Sequence, residues 1–451
     1  MLFRSIKNNN EGITFIRPEC LNPHSELTYF VYPLPMVLLY SISIHLFYLI
    51  ILVASLVNKK AGLWISGRKD WRKKLSLWKP SGGPVYWFHA ASLGEFEQGR
   101  PLIEEIKRRQ PGCSIVLTFY SPSGFEVRKN YQEADFVGYL PLDTLYNAGR
   151  FIKLVKPQAV FFIKYEFWFF YLKRLHDLSI PVYLISGIFR QNQIYFRWYG
   201  SWFRKKLRFF RHFFIQDHAS ADLLGSIGFQ NVTVSGDTRF DRVTAIGAAA
   251  KSIEIADAFT AGSFCIVAGS TWPADEALLV SFINETTRPV KLILAPHEIG
   301  QDQIKRLSGM LQKPAVLYSE ATPDDLADKQ VLIINNIGML SSLYRYGKIA
   351  YLGGGFGKGI HNILEPAAFG LPVIFGPNYK KFQEARALTA CGGAFAVNSL
   401  SEFKAILDHL MTNSEALQHA SSQTRNYVSE NTGATHLIVQ HTLPTPASNP
   451  E

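Results

Sequence analysis

Cysteine is scarce in this chain. Four stand among 451 residues (Cys20, Cys113, Cys265, Cys391), and no two form a CxxC pair. Such scatter argues against a zinc site or a disulfide framework and fits a reducing compartment. No repeat of solenoid period and no long low-complexity tract occurs, which excludes a repeat array. No two carboxylates have convincing metal spacing, so neither a metal nor another cofactor is expected. Acidic residues are outnumbered, 36 against 47 Lys and Arg, leaving a net charge of +11. That surplus favours an anionic partner: nucleic acid, anionic lipid or a phosphorylated substrate.

Hydrophobic residues make up 47% of the chain, enough for packed cores, and the length calls for two domains. One stretch is not globular in character. VLLYSISIHLFYLIILVASLV, residues 37–57, is uncharged and long enough to cross a hydrocarbon layer of roughly 30 Å. The basic flank NKKAGLWISGRKDWRKK follows, and the positive-inside rule puts that flank and everything after it in the cytoplasm. No small-residue cleavage site of signal-peptide type is present, so the run predicts a retained membrane-anchor helix over 36–58. A helix lying flat on the membrane, or buried against a domain, is the alternative, because Ser41, Ser43 and His45 interrupt the run. Residues 1–35 show no period and are expected to be irregular. Met36 is a second candidate start.

From Pro84 onward, short apolar runs alternate with helical patterns. PVYWFHA, SIVLTFY, AVFFI, VYLIS, HFFIQ and VTVSG read as strands in the first half. FCIVAG, KLILAP, VLIIN, IAYLGGG and PVIFG do so in the second. Continuous apolar runs of this kind form parallel sheets covered on both faces. The pattern predicts an α/β fold of two doubly wound Rossmann-like domains, with ligands in the cleft at the strands' carboxyl ends. The small-residue stretch between 242 and 262 marks the boundary. The expected domains are 59–242 and 243–440, with a disordered tail over 441–451.

The most informative motif is YLGGGFGKGIHNILEPAAFGLPVIFGP, residues 351–377. A strand ends in glycines. The loop around Gly357, Lys358 and Gly359 then leads into a helix expected from about His361. Bare backbone N–H groups at such a helix start make an anion site, and Lys358 can add a charge. Asn362 and Glu365 are three apart and share a helix face, so they can meet one ligand. Beside a phosphate, Glu365 suits sugar hydroxyls rather than the phosphate itself. A plain glycine turn is the bland reading. Pro296 and His297, Ser270 in AGSTW, and Ile337, Gly338 and Met339 also follow strands at the cleft rim. Each has a bland reading as cap or loop.

In the first half, HAASLGEFEQGR ends a strand and begins a helix. Ser92 and Glu95 fit a capping box. Gly94, which strips bulk from beside the carboxylate, leaves open whether Glu95 is a cap or a base. Glu166 stands among aromatics with Lys164 as its near partner, and a structural ion pair is equally consistent. Arg239 lies near the domain boundary, where it can reach across the cleft or pair with Asp237 or Asp241. Residues 187–214 interleave arginines with aromatics. With an anchor present, a membrane-surface reading outranks nucleic-acid binding, and a buried helix with snorkelling cations is the bland alternative.

Taken together, HAASLGE, KYEFW, APHE and HNILEPAAFGLPVIFGP resemble the 3-deoxy-D-manno-octulosonic acid (Kdo) transferases of Gram-negative bacteria. The resemblance runs in order from about residue 36 to 397. It implies a GT-B glycosyltransferase fold and inverting, metal-independent transfer of Kdo from CMP-Kdo to a lipid A precursor. That acceptor is a phosphorylated, acylated glucosamine disaccharide at the inner face of the cytoplasmic membrane; nucleic acid is not an expected partner. Glu95 matches the family's base, and Glu166 a residue supporting the transition state. Arg239 stands where the family's Gly-Asn-x-Lys-Phe motif has Lys, which keeps the charge and changes the geometry. Pro296, His297, Ile337, Gly338, Met339, Asn362, Ile363, Leu364 and Glu365 match positions contacting CMP. Met339 replaces the usual acid there, so its contact must come from backbone. At a helix start, the dipole is expected to lower the pKa of Glu95. Two rivals are a different GT-B enzyme using, for example, a UDP-sugar, and a membrane-tethered nucleic-acid binder.

Overall fold

The computed structural model describes residues 34–443, so the expected extension (bar Leu34 and Pro35) and the tail from 444 lie outside the described residues. The first sheet holds β1 (Val85–Ala90), β2 (Ser114–Phe119), β3 (Phe136–Tyr139), β4 (Ala159–Ile163), β5 (Val182–Gly187), β6 (His212–Ile215) and β7 (Val232–Val234). The second holds β8 (Phe264–Thr271), β9 (Val290–Pro296), β10 (Ala315–Leu317), β11 (Val331–Ile333), β12 (Ile349–Leu352), β13 (Val373–Phe375) and β14 (Ala394–Ala396). Every pairing in both sheets is parallel. Parallel neighbours need crossover connections, which lay helices on both faces and bury the strands completely. Accordingly every residue of β1, β2, β4 and β5 is buried.

The strand orders are β3-β2-β1-β4-β5-β6-β7 and β10-β11-β9-β8-β12-β13-β14. Chain direction across the sheet reverses between β1 and β4 in one, and between β8 and β12 in the other. Crevices open at such switch points, beyond the strands' carboxyl ends. Glu95 follows β1 and Glu166 follows β4. Ser270 ends β8, and the glycine loop follows β12.

The apolar helix spans Leu34–Ala54, ending four residues before the expected 58. Leu38, Leu39, Ile42, Leu46, Leu49, Ile50 and Val53 are exposed along it. Its other face is docked on the first domain. Tyr40 donates its hydroxyl proton to buried Asp143, whose carboxylate also accepts the backbone N–H groups of Phe170 and Tyr171 at 3.2 and 3.1 Å. Asn58 caps the following helix, Lys59–Gly67. Just beyond it, Arg68 lies with its guanidinium 3.7 Å from the Trp64 ring centre. It donates to the carbonyls of Trp64, Tyr120 and Leu140 and, among the described residues, meets no carboxylate. An arginine used this way fastens the N-terminal helices to the first domain through its flat, delocalised face.

The expected boundary at 242 falls inside the helix Thr238–Ala249. The last helix, Ala434–Thr442, returns to the first sheet, where Ile438 and Val439 join the cluster of Phe161, Tyr183 and Phe214. The expected end of the second domain at 440 therefore falls inside a helix that packs on the first. The two crossings are tied together, because Asp241 accepts the N–H groups of Gly433 and Thr435 at 2.5 and 2.6 Å.

Candidate functional site

Ser92 caps the helix Leu93–Arg109, its hydroxyl accepting the Glu95 N–H at 3.5 Å. The Glu95 carboxylate reaches back to Ala91 N–H at 2.5 Å, one residue earlier than a standard capping box. Cap geometry is thus present, yet the carboxyl behaves unlike a dipole-stabilised one. Burial, and secondarily the charge of Glu166, push it up to about 7, against the Ala91 hydrogen bond and Lys164. The expected lowering by the helix dipole is therefore corrected: desolvation wins. A Cβ built on Gly94 would meet nothing within 4 Å, so the space beside the carboxylate is open.

Glu166 does not pair with Lys164. Its Oε2 lies 3.0 Å from His89 Nε2 and accepts the Trp168 indole N–H at 2.6 Å. His89 is fully buried, with Nδ1 2.9 Å from Thr118 Oγ1 and 3.1 Å from the Thr118 carbonyl. The Thr118 hydroxyl donates to Phe88 O, so Nδ1 must be the donor towards Thr118. Nε2 then faces a carboxylate oxygen, and the Trp168 indole N–H points at both, 2.6 Å from Glu166 Oε2 and 3.2 Å from His89 Nε2. Stacking behind this pair fixes it: Trp168 lies on Tyr120 with ring centres 4.8 Å apart. His89 was missed in the sequence because it reads as one more residue of an apolar strand.

Lys164 takes up the left-handed backbone (φ 64°), and burial lowers its pKa despite nearby Asp237. Arg239 is held by Asp237 at 2.7 Å and by Glu384 of the second domain, so it spans the cleft. Asp241 is occupied elsewhere, as described above. The Asp237 pairing is the bland reading of Arg239, and it holds together with the reach across the cleft.

On the second domain, Ser270 also has left-handed backbone (φ 54°). It lies so close to β12 that a Cβ on Gly353 would sit 2.2 Å from the Ser270 carbonyl oxygen. His297, next to Pro296, stacks on Trp272 with ring centres 4.5 Å apart and lies tilted 4.6 Å from the His361 ring, and Trp272 donates its indole N–H to His361 at 2.9 Å. Buried Asp275 organises this corner by accepting from Tyr351 OH, Gly354 N–H and Trp272 N–H at 2.8, 2.8 and 3.0 Å. The Pro-x-Asp start of the helix Pro273–Glu285 was the available signal for it.

Asn362 donates to Glu365 at 3.0 Å, and Ser341 donates to the other oxygen at 3.1 Å. The helix there is Leu364–Ala368, five residues beginning three later than expected, so its dipole is weak and loop amides must carry an anion. Ile363 and Leu364 are buried, which leaves only their backbone to a ligand. Ile337 is 87% exposed on an open rim, Gly338 is left-handed (φ 97°), and Met339 accepts the Asn336 amide on its sulfur. Gly357 closes a turn onto the Gly354 carbonyl. The aromatic–basic stretch divides: Phe189, Trp202, Phe209 and Phe210 are core, while Trp198 is 90% exposed. Only the Trp198–Tyr199 tip suits a membrane surface. Among the described residues, no group of three or more His, Cys, Asp or Glu stands close enough to hold a metal ion.

Two parallel seven-stranded domains, with polar groups gathered at both switch points, make up a GT-B fold. The fold agrees with the structure of UDP-GlcNAc 2-epimerase from Neisseria meningitidis bound to UDP-GlcNAc. That match has a TM-score of 0.53 and 16% identity, covering 79% of this chain and 99% of that one. MurG from Acinetobacter baumannii matches with a TM-score of 0.50 and 15% identity, over 80% and 99%. The family model for 3-deoxy-D-manno-octulosonic-acid transferase (kdotransferase) matches residues 69–242. The 3-deoxy-D-manno-octulosonic acid transferase of Aquifex aeolicus is 30% identical over 72% of this chain and 86% of its own length. That of Haemophilus influenzae is 25% identical over 78% and 85%. The chain belongs to the Kdo transferase family, glycosyltransferases of lipopolysaccharide synthesis.

Proposed function

We propose that this enzyme moves Kdo from CMP-Kdo to a hydroxyl of a lipid A precursor, with Glu95 as general base. The observation that carries the reading is the Glu95 carboxyl itself. It is oriented by Ala91 N–H, raised to about 7 by burial, and beside open space at Gly94. A base titrating near the working pH combines a useful ionised fraction with real proton affinity. The acceptor oxygen attacks the anomeric carbon as its proton passes to Glu95. The bond to the cytidylate phosphate breaks, and CMP leaves as an anion. Loop amides at 353–363 and the cation Arg239 suit that departing charge. His297, Ile337–Met339 and the Asn362–Glu365 pair suit the nucleotide, and Ser270 the sugar beyond it. Attack from the first domain, opposite the leaving group, inverts the anomeric centre.

Docked beside the site, the apolar helix supports delivery of a lipid-borne acceptor at the cytoplasmic face of the inner membrane. Its length and composition suffice for a span. Full-length protein in detergent, given CMP-Kdo and a lipid A precursor, should yield a product heavier by one or more Kdo units on mass spectrometry. Calorimetry should register CMP and not UDP. Binding of UDP instead overturns the donor assignment.

A further inference from the structure

Outside the glycine loop runs a second loop, 376–382, between β13 and the helix Gln383–Ala390. Asn378 stitches the two loops together. Its backbone N–H donates to the Gly355 carbonyl and its side-chain amide to the Gly357 carbonyl, both at 2.9 Å. Lys381 donates its ammonium to the Lys358 carbonyl. This contact depends on Gly359, where φ is +128° and a Cβ would stand 2.7 Å from Lys381 Cε. Between the loops opens a cavity of about 820 Å³, closed on one side by Ala396 and Asn398 at the end of β14.

Lys358, Lys380 and Lys381 all line this cavity, and no acidic residue among the described residues does. Among the described residues, none of the three forms an ion pair. Glu384, the next acid along, is turned onto Arg239. Exposed lysines on separate elements would be ordinary surface. Here two hydrogen-bonded loops bring three lysines to one polar volume without a counter-charge among the described residues, and their summed positive field favours an anion there.

We propose that this cavity is an oxyanion subsite, separate from the nucleotide contacts at His297, Ile337–Met339 and Asn362–Glu365. It takes a carboxylate or phosphate carried by a substrate. Resting on the function proposed above, two sources fit: the carboxylate of the transferred sugar, or a phosphate of the lipid acceptor. Lys380→Ala should raise the KM of one substrate about tenfold, the scale of one hydrogen bond to a charged group, with the CMP Kd within twofold of wild type. A rise confined to CMP-Kdo assigns the donor carboxylate, and one confined to the acceptor assigns its phosphate. Two unchanged KM values overturn the subsite. An independent measurement does not need the reaction. In the full-length wild type, chemical acetylation of Lys358 and Lys380, read by mass spectrometry, should slow in inorganic phosphate relative to chloride of equal ionic strength. Equal rates overturn the subsite even where CMP binds. Failure of CMP to bind overturns the donor reading and leaves this measurement standing.

Discussion

Burial holds the Glu95 carboxyl near 7, and pH is therefore the sharpest handle on its role. The base must be ionised, so kcat/KM should rise with pH through about 7 and then level. A rate that is flat across that range counts against Glu95 as the base. Stability runs the other way. The folded-state value lies above the ordinary 4.5, so the folded state binds the extra proton between the two values. The contribution of this group is fully present at low pH and is lost as pH rises through the folded value. Glu95→Gln should therefore be more stable than wild type at pH 8, on the order of 1–3 kcal/mol by urea denaturation, while losing transfer by orders of magnitude. Gly94 sharpens the same question: a leucine there meets no protein atom at its Cβ, so Gly94→Leu should fold normally and raise the acceptor KM at least tenfold. At this scale, the residue types were legible in the sequence and their partners were not. Ser-x-Gly-Glu announced a carboxylate at a helix start, but whether burial or the dipole sets its pKa depends on what packs over it. Glu166 was found by its aromatic neighbours and wrongly given Lys164, because its actual partner, His89, stands 77 residues away in the chain.

Among the elements, the strands that escaped the sequence share one place. β3, β10 and β14 each stand at a sheet edge. Edge strands lie against one neighbour and keep a wet side, so they need neither a long apolar run nor full burial. Phe136–Tyr139 carries a glycine and is mostly half-buried. Central strands, buried on both faces, wrote themselves plainly as continuous apolar runs. The apolar helix at the start was equally plain in composition, whereas its docking was invisible. Nothing in the sequence links Tyr40 to Asp143, which are 103 residues apart. Asp143→Ala should strand the buried N–H groups of Phe170 and Tyr171 along with the Tyr40 hydroxyl. We expect a loss of about 2–4 kcal/mol in urea denaturation. Loss below 1 kcal/mol would mean that the helix is held by its apolar contacts alone.

Across the whole molecule, the doubling of the α/β pattern revealed two domains, and Glu95, Glu166, Ser270 and the glycine loop stand at the switch points, whereas Arg239 follows the edge strand β7 and Ile337–Met339 follow β11. What it could not reveal was the traffic between domains. Glu384 gives no sign in sequence that it meets Arg239, since 145 residues separate them. Glu384→Gln should remove the charge pair spanning the cleft while Arg239 stays on Asp237. Small-angle scattering of the detergent-solubilised protein should then report a larger mean radius of gyration at little change in melting temperature. An identical radius would show that the pair does not hold the cleft at its present width.

Asp241 ties the outgoing helix to the point where the chain comes back, and Arg239, two residues earlier, meets Glu384, so both crossings are fastened to one short helix. A rotation of one half against the other would turn about that helix, like scissors on their rivet. In the proposed reaction, such a turn would carry Glu95 towards the loop after β12 without sliding it sideways.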